Sequence, residues 1–199
     1  MKKVFMIMLL MLMAVMTTSA KSKEVNLKSG DPKVLNQPGK TAIFTFDYKN
    51  TVCEGKPLQK YLADRGEKNV KDWPKECQET EDNYFMERWN DESKKNIKLV
   101  KDGTADYKIV VHIEELDLGS TAAAMFMPSF SRKTGACEVS GTIDVIDQKT
   151  GKTVCVFEIN KLRGVATRSF EVASSETRRR GLTYKKMAQL VLEFAQKQK

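Results

Sequence analysis

His112 is the single histidine of this 199-residue chain, so any Ser-His-Asp or Cys-His couple would have to use it. It sits in an alternating run. Tyr107, Ile109 and Val111 share one face, and Lys108, Val110 and His112 share the other. That places it mid-strand on a sheet face, whereas a catalytic base belongs at an element end beside a cleft. Glu114, Glu115 and Asp117 cluster near the end of the same run. Paired carboxylates do acid–base work on sugars, but a charge run at a strand end is usually a solvated surface. No second acidic pair is visibly placed to face them, and no catalytic residue is assigned. A structural zinc site needs close pairs such as C-x-x-C, and the cysteines here are far apart. Asp144 and Asp147 lack the alternating Asp/Asn run of a calcium loop. Neither a metal nor a cofactor is expected.

Binding chemistry is better represented. Arg178, Arg179 and Arg180 are consecutive near the start of a C-terminal helix, where cations oppose the helix dipole and do not help the helix. Arginine forks suit carboxylates and phosphates. Arg163, Arg168, Lys185 and Lys186 extend the same field. Residues 160–199 hold ten Lys/Arg against three Glu, while residues 21–159 are nearly neutral. The basic excess therefore belongs to the last forty residues. It suits an acidic protein, an anionic membrane surface or a cell-wall polymer. The second contact candidate is the apolar segment with Met125, Phe126, Met127 and Phe130. Such side chains are costly to leave in water. They either mark a contact surface or fold back over the sheet.

The leader decides the compartment. Lys2 and Lys3 precede an unbroken apolar run over residues 4–16, then Thr17, Thr18, Ser19 and Ala20. This reads as a secretory signal peptide over 1–20, cleaved after Ala20. No later segment is apolar and long enough to span a membrane, which takes roughly 20 residues. No cysteine stands at the cleavage point to carry a lipid. A periplasmic or secreted protein follows, and nucleic acid is excluded as a partner. Export also bears on Cys53, Cys77, Cys137 and Cys155, because an even count in an oxidising compartment points to disulfides. Cys53 and Cys77 flank one polar insertion and are the candidate pair. Closing that loop would contribute roughly 3 kcal/mol. Cys137 and Cys155 lie among apolar strand residues, as buried free thiols do.

The elements that must position these residues follow from periodicity. Residues 21–40 are polar, with Gly30, Pro32, Pro38 and Gly39, and read as a mobile extended arm. Ala42, Phe44, Phe46 and Tyr48 alternate on a strand over 41–48. Residues 49–74 lose periodicity and form an insertion, with room for a short helix near 57–64. A helix over 74–96 follows, with Asp72 as cap, Pro74 in its first turn and Phe85, Met86 and Trp89 on its core side. Strands are expected over 97–100 and 106–118. Residues 136–164 form a β-hairpin, with Val145 opposite Cys155 and Ile143 opposite Phe157. Its turn is 147–152. A helix over 174–199 ends the chain. Met187, Leu190, Val191 and Phe194 form its stripe, and Gly181 splits off its first part. The sum is a single α/β domain over 41–199, a mostly antiparallel sheet with helices packed on it and a C-terminal amphipathic helix.

This order resembles small periplasmic α/β domains of the TolB amino-terminal and CsgG-like kind. It is similar also to outer-membrane activators of peptidoglycan synthases and to uncharacterised secreted lipoproteins. The likeness covers roughly residues 41–198. It is carried by the helix leading into a short strand over 85–100, by Ala105-Asp106-Tyr107 opening a long strand that closes at Gly119, and by Val145-Ile146-Asp147-Gln148-Lys149-Thr150-Gly151. The resemblance implies scaffolding, docking on envelope proteins, or assistance in assembly and secretion. The chain departs from it in lacking a lipid-anchoring cysteine, in its 53–77 insertion, and in having no long amphipathic segments to build a channel. Fold analogy alone does not fix function. The residues favour a non-catalytic binding or adaptor module of a bacterial envelope. The alternatives are a hydrolase acting on envelope polymers, built on Glu114, Glu115, Asp117 and His112, and a carrier of a small apolar ligand.

Overall fold

A computed structural model describes residues 24–92, 95–120, 135–165 and 175–198. The signal peptide expected over 1–20 and the apolar segment of Met125, Phe126, Met127 and Phe130 lie outside the described residues.

The described chain is a single α/β domain. Its eight strands are β1 (Val25–Gly30), β2 (Thr41–Asp47), β3 (Val52–Cys53), β4 (Lys56–Pro57), β5 (Lys98–Val100), β6 (Tyr107–Asp117), β7 (Glu138–Asp147) and β8 (Thr153–Arg163). They form one sheet in the order β1-β8-β7-β6-β2-β5, with the β3–β4 pair beside the end of β6. β1, β8, β7 and β6 are joined antiparallel, while β2 runs parallel to both β6 and β5. The sheet is therefore mixed. The parallel pair exists because the chain between β2 and β5 crosses over through helices, as parallel neighbours require.

The hairpin register is as expected, with Val145 opposite Cys155 and Ile143 opposite Phe157. Its turn explains the Asp147-x-x-Thr150-Gly151 sequence. The Asp147 carboxylate accepts from the Thr150 N–H at 2.7 Å and from its hydroxyl at 3.0 Å. Asp106 plays a similar part before β6, accepting from the Thr41 N–H at 3.0 Å and from Lys40 at 2.5 Å.

Two expected boundaries are corrected. Residues 25–35 are not a mobile arm. β1 pairs along β8, and the 3₁₀ turn Pro32–Leu35 fully buries Leu35. The helix expected from Pro74 begins earlier, because α1 (Leu58–Asp64) is followed at once by α2 (Glu67–Thr80). Pro74 thus lies inside α2 and Asp72 is not its cap. A ring there withholds the N–H that the Val70 carbonyl would otherwise accept. α2 runs on into a π-helical turn, Glu81–Met86, and then α3 (Glu87–Asp91).

One sheet face carries the core. Phe46 meets Phe85 of the π turn at 5.1 Å between ring centroids and Tyr184 at 4.8 Å. Tyr184 belongs to α4 (Glu176–Lys197), whose Met187, Ala188, Val191 and Ala195 are also buried. α4 runs unbroken through Gly181, against the expected split. The glycine is there for approach and not for flexibility. A Cβ at this position would lie 2.5 Å from the Tyr84 ring. Gly181→Ala should therefore destabilise the fold by about 1–3 kcal/mol through overpacking. At an open helical site the same change would stabilise by about 1 kcal/mol. Urea unfolding of Gly181→Ala with and without Tyr84→Ala checks this, because the alanine should become stabilising once the ring is gone.

Candidate functional site

Arg178, Arg179 and Arg180 open α4, whose N-cap Ser175 accepts from the Arg178 N–H at 3.2 Å. They do not form one exposed patch. Arg179 and Arg180 are buried. Arg179 donates from Nε to the Leu118 carbonyl at 3.1 Å, and its Nη2 lies 3.4 Å from the Gly119 carbonyl. It thereby closes the end of β6. The physical reason for the inward turn is helical phase. Arg180 stands two turns before Met187, on the same stripe as Tyr184. That phase was the signal available in the sequence.

The wider basic field is dispersed. Arg163 pairs with Glu138, and Lys186 pairs with Glu24 at 2.7 Å. Arg168 lies outside the described residues.

Arg180 is only 1% exposed. Its guanidinium carbon lies 4.1 Å from the centroid of the Trp73 ring of α2. Such a desolvated cation–π contact is worth about 2 kcal/mol. The nearest carboxylate oxygen, Glu76 Oε2, stays 4.0 Å from Nη2. Nε and Nη2 have no hydrogen-bond partner among the described residues. Each unsatisfied buried donor costs about 1–3 kcal/mol. The two nitrogens form one edge of the guanidinium plane, and that edge is sealed from solvent.

That side chain lines a cleft of about 350 Å³ between α1, α2 and the start of α4. Asn69, Glu76, Ser175, Glu176 and Thr177 give it a polar lining. Arg65 also lines it, and is held by Glu176 through two parallel bonds of 2.7 and 2.9 Å. Behind Arg180 the Tyr48 hydroxyl donates to Glu81 at 3.1 Å and lies 3.0 Å from the Tyr184 hydroxyl. Burial pushes the Glu81 carboxyl above its ordinary range, partly offset by the Tyr48 bond and by Arg180. The π turn holds Glu81 there, and such turns recur at functional sites.

All four cysteines are buried free thiols, so the expected Cys53–Cys77 bridge is absent. Cys53 is in β3 beside β6, while Cys77 is in α2 near Arg180 and Glu81. Flanking one insertion did not bring them onto facing elements. Burial pushes Cys77 up to about 11 and Cys53, Cys137 and Cys155 up to about 12, which keeps them protonated and unreactive.

The other residues with chemistry are placed elsewhere. His112 lies mid-strand, with Nδ1 3.0 Å from Asp47 and Nε2 3.8 Å from Asp144. A bulge after Ile113 shifts the β6–β7 register, where Gly141 lets the His112 carbonyl approach. Glu115 and Asp117 then line a small acidic cleft of about 210 Å³ with Glu54 and Glu138. Sequence did not reveal that pairing, because it depends on the bulge and on β3. Among the described residues no group of three His, Cys, Asp or Glu is arranged to hold a metal ion.

No family model and no curated protein matches the chain. Solved structures do. A PelC dodecamer from Paraburkholderia phytofirmans is 15% identical, over 83% of this chain and 97% of that one, with a TM-score of 0.42. Protein XCC0632 from Xanthomonas campestris, of family DUF330, is 10% identical over 86% of this chain and 94% of that one, with a TM-score of 0.33. Both are distant likenesses.

Glu81 supplies a pH test. Its folded pKa lies above the unfolded one, so its contribution is full at low pH and fades as pH rises through the folded value. Glu81→Gln cannot ionise. Wild type should therefore lose stability relative to Glu81→Gln as pH is raised from about 4 to about 7. Urea midpoints of both proteins at several pH values measure that difference.

Proposed function

We propose that this chain is an exported, non-catalytic binding module of a bacterial envelope, docking through the cleft floored by Arg180. The observation that carries the reading is Arg180 itself, a buried guanidinium with two unpartnered nitrogens whose side chain lines a polar cleft. Buried donors are ordinarily satisfied, so an orphaned pair on one arginine calls for an explanation. A recognition arginine meets its partner on binding.

Other features support the same reading. The leader over 1–20 directs export. No helix among the described residues is long and apolar enough to cross a membrane. The adaptor role implied by the resemblance belongs to this proposal, and residues 125–130 keep their place in it as a second, apolar contact surface. Arg178 and Arg180 stay within the docking region. Arg179 instead holds the end of β6.

Stability and binding should separate at Arg180. Removing its charge leaves no trapped counter-charge at Glu76, whose side chain is 42% exposed. Arg180→Met loses the indole contact and the field on Glu81 but also removes two orphaned donors, so folding stability should shift by less than the roughly 3–5 kcal/mol of a broken buried pair. The mature chain is mixed with envelope fragments of its own host and sedimented. Wild type and the exposed-site control Lys185→Met should co-sediment. Arg180→Met should fall by about tenfold or more. Arg180→Lys, which keeps charge but loses the fork, should fall too. Equal sedimentation of all four proteins overturns the reading.

A further inference from the structure

We propose that the outer edge of β1 is a docking surface for a second copy of this chain, the two β1 strands pairing antiparallel about a two-fold axis at Asn26. β1 is the last strand on its side of the sheet, and among the described residues nothing pairs with its outer edge. The backbone groups on that edge can be named. The Asn160 N–H donates to the Glu24 carbonyl at 3.0 Å, so Glu24 and, by alternation, Asn26 turn their backbone groups toward β8. Val25 and Leu27 therefore turn theirs outward. A bare edge of this kind is a template for another extended chain. In the register centred on Asn26, Val25 of each copy faces Leu27 of the other, and each such pair exchanges both of its backbone hydrogen bonds.

The side chains favour a second copy over any other extended chain. Val25 and Leu27 share the face of Ile159 and Phe157, the face on which Phe194 of α4 packs. Val25 is buried, but Leu27 is 38% exposed. Beside Val25 lies an apolar groove of about 280 Å³, lined by Leu190 and Phe194 of α4. An axis perpendicular to the sheet keeps both α4 helices on one face, and opposed residues of an antiparallel pair share a face. Leu27 of each copy thus lands next to Val25 of the other, at the mouth of its groove. The contact is self-complementary and made twice, as a two-fold interface requires. The charges agree with it. Glu24, held by Lys186 at 2.7 Å, comes opposite Lys28 of the second copy, and the neutral Asn26 comes opposite itself. The register centred on Leu27 fits worse. It sets Asn26 against Lys28, which the register shift after Leu27 leaves as an extra, bulged residue. It also places leucine against leucine, away from the groove.

The test is sedimentation velocity of the mature chain over a range of concentrations, which should show a reversible dimer. Leu27→Lys should raise the dissociation constant at least about tenfold, because a charge replaces the side chain that enters the groove. Its circular dichroism should stay that of wild type, since the site is half exposed in one copy. The register is read independently of that variant. Opposed residues of a non-hydrogen-bonded pair stand about 4.5 Å apart at Cα, within disulfide reach. Asn26→Cys should therefore form a covalent dimer on mild air oxidation. Lys28→Cys, which this register holds far from its own counterpart, should do so much more slowly. The native thiols are buried and do not compete. A chain that stays monomeric at every concentration leaves the edge to an extended segment of another protein and overturns the proposal. So does a dimer indifferent to Leu27→Lys, or equal crosslinking of the two cysteine variants.

Discussion

The constraint that organises the helical layer is the Tyr84 ring lying against the backbone of α4 at Gly181. It sets how near the π turn and α4 come. That distance lets Tyr184 reach Phe46 on the sheet and lets Tyr48 reach both Tyr184 and Glu81. The same approach puts Arg180, one residue before the glycine, over Trp73 of α2. Helix, π turn and sheet are thus joined at one point, with the aromatic cluster on one side and the polar cleft on the other. A larger residue at 181 would disturb both together.

Arg180 is costly where it stands. A buried guanidinium is rarely tolerated without pairing, and here Glu76 is too distant for a direct bond. The indole face and the favourable field of nearby Glu81 offset part of the cost. The orphaned donors remain. Each such group calls for an explanation of its own. The neighbouring arginines show the contrast, since Arg179 does ordinary structural work on the carbonyls that end β6.

How much of this the sequence showed depended on which force organised each part. The β7–β8 register was readable because both strands alternate strictly and their turn has its Asp and Gly in place. The long C-terminal helix was readable from its stripe. Arg180 was in phase with that stripe, yet arginine at a core position reads as surface by residue type. β1 was not readable. Only Val25 in it is buried, and its order comes from backbone hydrogen bonds to β8 that no composition reveals. Pro74 misled because a proline usually marks the first turn of a helix, not its middle. The cleft needed the meeting of α1, α2 and α4, which no local pattern contains.

The pairing of β1 with β8 also orders events in time. Val25 faces Ile159 and Leu27 faces Phe157, so the outer strand of the sheet joins parts of the chain far apart in sequence. On any route that delivers the amino terminus first, β1 waits unpaired until the hairpin that receives it is complete. Pairings so distant along the chain are slow to form, because loop closure must be met before any contact rewards it. The first strand to be made cannot be placed before the last strand exists, and until it is placed β8 presents an open edge to whatever else is extended nearby.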